Sequence, residues 1–246
     1  MNSPETVVSV DEMTIEEHDA LFVLTELVRT GRAQTRSDLG RLSGLGRSIV
    51  TQRVEEALNL GLLEEADFGV STGGRVPRTL RFKYEIGTFV VVEFGARNLG
   101  VAVTDLAGKI VESIHENWDI TEGPEKSLDR VVKMASSLIK KNGLPDVWAV
   151  IIGVPGPVEF ETGKPVAPPI MPGWNGFDIR GFMLSAFGAP CWVDNDVNLM
   201  ALGEQAVLKA TNQHGTAADN LLFVKVGSGI GAGIISGGKV HRGANG

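Results

Sequence analysis

The chain has 246 residues, an apolar fraction of 43% and a formal net charge of −7; this is enough for a buried core in one large domain or two unequal ones, and it argues against general affinity for nucleic acid. Its single cysteine, Cys191, excludes an internal disulfide and a multi-cysteine zinc site made by this chain alone, and it indicates a reducing, cytoplasmic setting. The opening residues carry no basic segment leading into an apolar run, and nowhere do roughly eighteen apolar residues follow one another, so neither a secretion signal nor a membrane span is expected.

Residues 1–14 read as a disordered N-terminus. Residues 16–29 then place Leu21, Leu24, Leu27 and Val28 at helical spacing, with Gly31 as a stop. A second helix starts at Thr35, carries Leu39 and Leu42, and ends in the turn Ser43-Gly44-Leu45-Gly46. A third helix over residues 47–60 would bury Ile49 or Val50, Val54, Ala57 and Leu58, leaving Arg47, Ser48, Thr51, Gln52 and Glu55 on its outer face. Arg and Gln there can make paired contacts to base edges, while Ser and Thr reach phosphates or thymine methyls; an ordinary solvated helix face would have the same composition.

The segment from Arg29 to Arg53 holds six arginines against the single acid Asp38, so a local basic face exists despite the negative net charge. After the third helix, residues 61–65 read as a strand, 69–74 as a glycine-rich tip and 78–82 as a return strand, which together make a wing. The tip would send Arg75 toward a narrow minor groove. Residues 15–82 are therefore expected to form a winged helix-turn-helix domain. Its DNA-contact candidates are Arg36, Arg47, Ser48, Thr51, Gln52, Arg53, Arg75 and Arg78.

From residue 87 to 246 the pattern changes. Residues 89–94, 100–106 and 109–114 read as a three-stranded meander, 128–140 as an amphipathic helix, and 147–153 as a strand buried on both faces. Residues 168–176, rich in proline and glycine, read as a long surface loop; 196–209 read as a helix, and strands at 221–226 and 232–236 flank Gly227-Ser228-Gly229-Ile230-Gly231. Asp194-Asn195-Asp196-Val197-Asn198 delivers amides and carboxylates to a strand end, groups that suit sugar hydroxyls or a general base. The same run also makes turns and helix caps. The glycine hairpin would offer backbone N–H groups to a phosphate, or simply form a tight turn.

Ile152-Gly-Val-Pro-Gly-Pro157, Pro172-Gly-Trp174, Asn195-Asp196-Val-Asn198 through Ala201-Leu-Gly-Glu204, and Val226-Gly-Ser-Gly-Ile-Gly-Ala-Gly233 resemble the ROK family of sugar repressors, uncharacterised frames and sugar kinases. Ser43-Gly-Leu-Gly-Arg-Ser48 and Gly73-Gly-Arg75 extend the resemblance to the repressor branch and to nearly the whole chain. It implies an α+β protein in which the winged domain precedes an incomplete actin-like (ribonuclease H-like) α/β domain of sugar-kinase type. It also implies that Asn195 and Asp196 contact a sugar, with Asp196 the base in a kinase, and that Gly227, Ser228, Gly229 and Gly231 form a phosphate loop. Asn175 is a further sugar-binding candidate. The implied partners are operator DNA, a small sugar or sugar phosphate, and a second copy in a homodimer of the full-length form.

Two departures shape the functional expectation. Family kinases open this domain with Asp-x-Gly-Gly-Thr, where this chain has Glu93-Phe94-Gly95-Ala96-Arg97, and Ile170 stands where many relatives carry asparagine. A repressor of sugar-metabolism genes without kinase activity is therefore expected, the alternative being an ATP-dependent sugar kinase with a DNA-binding-like appendage. Relatives also continue past Arg242-Gly-Ala-Asn-Gly246 into a Glu-x-x-His segment and a cysteine cluster. By that resemblance the second lobe is expected to be truncated, the strand and helix after Asn195 to have little to pack against, and zinc to belong to a full-length parent, with no metal or cofactor in this chain.

Overall fold

The computed structural model describes residues 15–66, 78–211, 218–227 and 229–243. The chain divides into two units, Met1–Ile86 and Gly87–Gly246.

In the first unit, α1 (Ile15–Arg29) turns Leu21, Leu24, Leu27 and Val28 inward, the four positions that its helical period selects. α2 (Arg36–Ser43) opens on a capping box in which the Thr35 hydroxyl accepts from the Asp38 N–H and the Asp38 carboxylate accepts from the Thr35 N–H, an arrangement worth about 1 kcal/mol. It closes at Gly44, whose φ of 73° is left-handed backbone that glycine adopts without strain. α3 (Arg47–Asn59) buries Val50, Val54 and Ala57, and Ile49 points outward. β1 (Leu63–Ala66) and β2 (Thr79–Phe82) pair antiparallel, with Leu63 opposite Phe82, and close the core with Leu80. The tip expected at 69–74 and the candidate Arg75 lie outside the described residues.

In the second unit, β3 (Thr88–Phe94), β4 (Asn98–Thr104) and β5 (Ile110–Asn117) form the expected antiparallel meander. After α4 (Pro124–Asn142), β6 (Val147–Val154) joins β3 in parallel; then come a two-residue-per-strand hairpin, β7 (Val158–Glu159) with β8 (Lys164–Pro165), and α5 (Ile179–Phe187). β9 (Cys191–Asn195) completes a sheet of order β5-β4-β3-β6-β9. The core lies between this sheet and α4 and α5, where Val92, Phe94, Leu99, Leu128, Leu138 and Ile152 are buried.

The loop of residues 168–176 is not a surface loop throughout. Met171 and Trp174 are buried; the Trp174 indole N–H donates to the Ile120 carbonyl at 3.2 Å, and its ring meets Phe94 edge-on with centroids 5.5 Å apart. An aromatic so placed fills the core and satisfies its polar atom at once.

α6 (Asp196–Ala210) leads to a three-stranded antiparallel sheet, β10 (Leu221–Val226), β11 (Ile230–Ser236) and β12 (Lys239–Val240). For the helix, the expected lack of packing after Asn195 is corrected here, because Val197 and Ala201 are buried against β11. A Cβ on Gly233 would stand 2.3 Å from the Val197 carbonyl oxygen, and one on Gly231 would stand 2.9 Å from a Val197 methyl, so glycine permits the close approach. The opposite face of this sheet exposes the cross-strand pairs Leu222–Ile234 and Val226–Ile230 together with Val224. Among the described residues no helix is long and apolar enough to cross a membrane.

Two outcomes follow for stability. Trp174→Ala should lower the unfolding free energy by about 3–5 kcal/mol, measured by urea denaturation. Glu116 is held below the usual carboxylate range by hydrogen bonds from Arg130 at 2.7 and 2.5 Å, and Glu112 by hydrogen bonds from Lys141 and Asn142. Carboxylates depressed in the folded state stabilise it above their unfolded pKa of about 4.3 and cease to do so as pH falls through the folded values. All four tryptophans lie in the second unit, so the urea midpoint read by their fluorescence should fall between about pH 5 and pH 3, and Arg130→Met should flatten that slope.

Candidate functional sites

The first candidate site is the outer face of α3 with the groove between α2 and α3, about 550 Å³ in volume and lined by Arg36, Arg41, Arg47 and Thr51 among others. Arg47, Ser48, Thr51 and Gln52 are all exposed. Arg47 enters no ion pair among the described residues, and its carbonyl accepts from the Thr51 hydroxyl at 2.9 Å. These four form a donor-rich strip on one helix face.

Arg36, Arg53 and Arg78 are engaged elsewhere. Arg53 is a correction: it is buried, with its guanidinium 2.5 Å from Glu56 and 3.0 Å from Glu17. A spacing of three residues from Val50 puts it on the inward side of α3, where a cation must be paired. Arg36 is half-buried and donates to Glu55 at 2.8 Å and to Glu65 at 3.1 Å, tying α3 to β1. Arg78 also pairs with Glu65, and these hydrogen bonds, Arg78 first and Arg36 second, hold the Glu65 carboxyl below its ordinary range.

The second candidate site is a cleft of about 520 Å³ within the second unit, lined by the end of β3, the β9–α6 junction and the β10–β11 hairpin. It brings Asn195 and Asp196 together with Gly227, Gly229 and Gly231; Ser228 lies outside the described residues. Gly231 has the packing role already given, whereas a Cβ on Gly227 or Gly229 would enter open space. Their bare backbone therefore faces the cleft for a ligand to approach. Asn175 does not line the cleft; its side-chain oxygen accepts from the Ala167 N–H at 2.7 Å and fastens the loop. Ile170 does line it, as an exposed apolar wall.

The β9–α6 junction holds three polar side chains in three environments. Asp194 is buried and accepts from the Asn195 N–H at 2.7 Å, from Asn198 at 2.9 Å and from Arg242 at 2.9 and 2.8 Å. The Arg242 guanidinium also lies 3.6 Å from the Phe160 ring centroid. Asn195 caps α6 by accepting from the Val197 N–H, and its amide donates to the Gly156 carbonyl at 3.1 Å. Asp196, buried in the first turn of α6, meets the Lys225 ammonium at 2.8 Å, and the same nitrogen lies 3.1 Å from Glu93. Burial works against the Lys225 charge, but the hydrogen bonds and charges of Asp196 and Glu93 outweigh it and raise the pKa above the ordinary lysine value. Among the described residues no three His, Cys, Asp or Glu side chains converge as metal ligands. Burial also pushes the Cys191 thiol up to about 12, which leaves it unreactive.

Sequence reasoning missed Lys225 and the pairing of Arg242 with Asp194. For Lys225 the available signal was a cation at an inward position of an otherwise apolar strand.

A mixed sheet of this order with helices on both sides, and a glycine hairpin closing a polar cleft beside a capped helix, defines an actin-like α/β domain of the sugar-kinase type. Residues 89–246 match the ROK family, and the chain belongs to it. The xylose repressor of Caldicellulosiruptor bescii is 29% identical over 234 residues, covering 94% of this chain and 57% of that protein. The glucokinase of Halalkalibacterium halodurans is 29% identical over 164 residues, covering 64% of this chain and 47% of the enzyme. Among solved structures, a ROK family transcriptional regulator described as a homolog of the Escherichia coli MLC protein superposes with a TM-score of 0.71 at 22% identity, covering 94% of this chain and 57% of its own. The chain thus spans little more than half the length of these regulators.

Arg53 separates a structural from a DNA-contacting role. Arg53→Ala should cost roughly 3 kcal/mol of stability, because it strips the cation from a buried pair; at a temperature where the variant stays folded, its titration against a DNA duplex should match that of the unaltered chain within about twofold. Thermal melting and fluorescence anisotropy on the same sample measure both.

Proposed function

We propose that the protein is a DNA-binding repressor of sugar-metabolism genes, in which residues 15–82 act as a winged helix-turn-helix reader and the second unit binds a small sugar or sugar phosphate without phosphorylating it. The observation that carries this reading is the exposed strip of Arg47, Ser48, Thr51 and Gln52 on α3, presented beside an unobstructed groove. Such a strip fits the major groove, with Arg47 and Gln52 reading base edges and Ser48 and Thr51 reaching phosphates. The likeness to xylose repressors over 94% of the chain supports the same assignment. In the cleft, the partly exposed Glu93 carboxylate and the hairpin backbone supply acceptors and donors for a polyhydroxyl ligand. Its differential affinity for two arrangements of the protein would shift DNA binding. A homodimer reading paired half-sites is the assembly that this mode of recognition favours.

The second reading is an ATP-dependent sugar kinase with Asp196 as the base. It is favoured by the position of Asp196 in the cleft and by the likeness to a glucokinase. The engagement of Asp196 by Lys225 weighs against it, because a base must be free to accept the hydroxyl proton.

The test is an anisotropy titration of the chain against DNA from upstream of its own gene and a scrambled duplex, with and without a panel of pentoses and hexoses. Specific binding is expected, weakened by a sugar. The double variant Arg47→Ala with Gln52→Ala should lose roughly 2 kcal/mol or more of that specificity. Unchanged discrimination in the double variant would sink the reader assignment, and hexose phosphorylation from ATP that disappears in Asp196→Ala would replace the repressor with the kinase.

A further inference from the structure

Two carboxylates enter the cleft from different elements, Glu93 from the end of β3 and Asp196 from the first turn of α6. Their oxygens lie 3.1 and 2.8 Å from one point, and that point is the Lys225 ammonium. Paired carboxylates around a common centre are the donor set that a magnesium or manganese ion takes, usually together with water and phosphate oxygens. Phosphoryl transfer from ATP depends on such an ion. The residues present do not fit it. One Asp196 oxygen is taken by Lys225 and the other by the Val197 N–H at 2.9 Å, while the side chain as a whole is almost completely buried. Lys225 is also the one cation among the described residues lining the cleft, so nothing else neutralises the pair.

We propose that Lys225 is a specificity-determining residue whose ammonium, carried on β10, stands in the place of a divalent cation between Glu93 and Asp196 and so makes the cleft metal-independent. The geometry is built rather than incidental. The Lys225 position pairs with Gly231 across the hairpin, and Gly231 is held against Val197, the residue after Asp196. The ammonium is thus positioned by the same contact that seats α6. A tethered +1 charge also repels a second cation at this distance, so metal entry would require displacing the lysine from both carboxylates. This inference deepens the sensor reading and rests on it, since a phosphotransferase would need the ion that Lys225 excludes.

The experiment is manganese binding to the 246-residue chain, followed by the loss of the free Mn²⁺ signal in electron paramagnetic resonance. The unaltered chain should leave Mn²⁺ free up to millimolar concentration. Lys225→Met should bind one equivalent with affinity raised roughly tenfold or more, and adding Glu93→Gln should abolish the gain. A folded Lys225→Met chain, checked by tryptophan fluorescence, that binds Mn²⁺ no better than the unaltered one would overturn the proposal. Lys225→Gln, which keeps a hydrogen-bond donor without the charge, is measured by the same criterion if the methionine variant does not fold. Tight Mn²⁺ binding by the unaltered chain that is lost in Glu93→Gln would also overturn it. Turnover of ATP and hexose would instead strike the sensor reading, and it is read separately from the manganese titration.

Discussion

The second unit is organised around the need to compensate two buried carboxylates on either side of one asparagine. Asp194 and Asp196 both leave solvent at the point where β9 becomes α6, and an unpaired charge there would be severely destabilising. Each finds a cation from a remote segment, Arg242 for the first and Lys225 for the second. Asn195, between them, caps the helix and grips the turn after β6. One short run of chain therefore fixes the meeting of the main sheet, α6, the hairpin sheet and the segment after β12. The cleft is the space left open where these parts meet.

The first unit applies the same electrostatics to a different end. Between Arg29 and Arg53 its arginines outnumber its acids six to one, yet Arg36, Arg53 and Arg78 are bound to Glu55, Glu65, Glu56 and Glu17. Composition overstates the positive face, because cations used to join elements lend little field to a ligand. What is left on the outer side of α3 is a narrow strip with Arg47 as its charge, suited to geometric reading of a groove rather than to indiscriminate attraction.

Much of this was legible in the sequence where the information is local. The apolar stripe of α1, the helix start at Thr35, the meander from β3 to β5 and the hairpin glycines all follow from spacing and turn chemistry within a few residues. α5 escaped because it is only nine residues long with a glycine inside it, so the helical spacing of Ile179, Phe182, Met183 and Phe187 runs for little more than two turns. Arg53 was misassigned because polarity alone does not tell a paired inward cation from an outward one. The role of Lys225 was invisible for a further reason: its partners lie 29 and 132 residues away, and only the fold brings them to one atom. Trp174 likewise looked like loop decoration until its indole was placed against Phe94 and the Ile120 carbonyl.

The alternation of β10 has one more consequence. Leu222, Val224 and Val226 lie on its exposed apolar face, and Lys225 points the other way into the cleft. Moving the strand by a single residue against β11 would exchange these sets, setting valines against two carboxylates and a lysine on a greasy surface. Antiparallel hydrogen bonds alone do not distinguish the two alignments strongly. The ion pair does, because the slipped pairing would leave Glu93 and Asp196 without their cation.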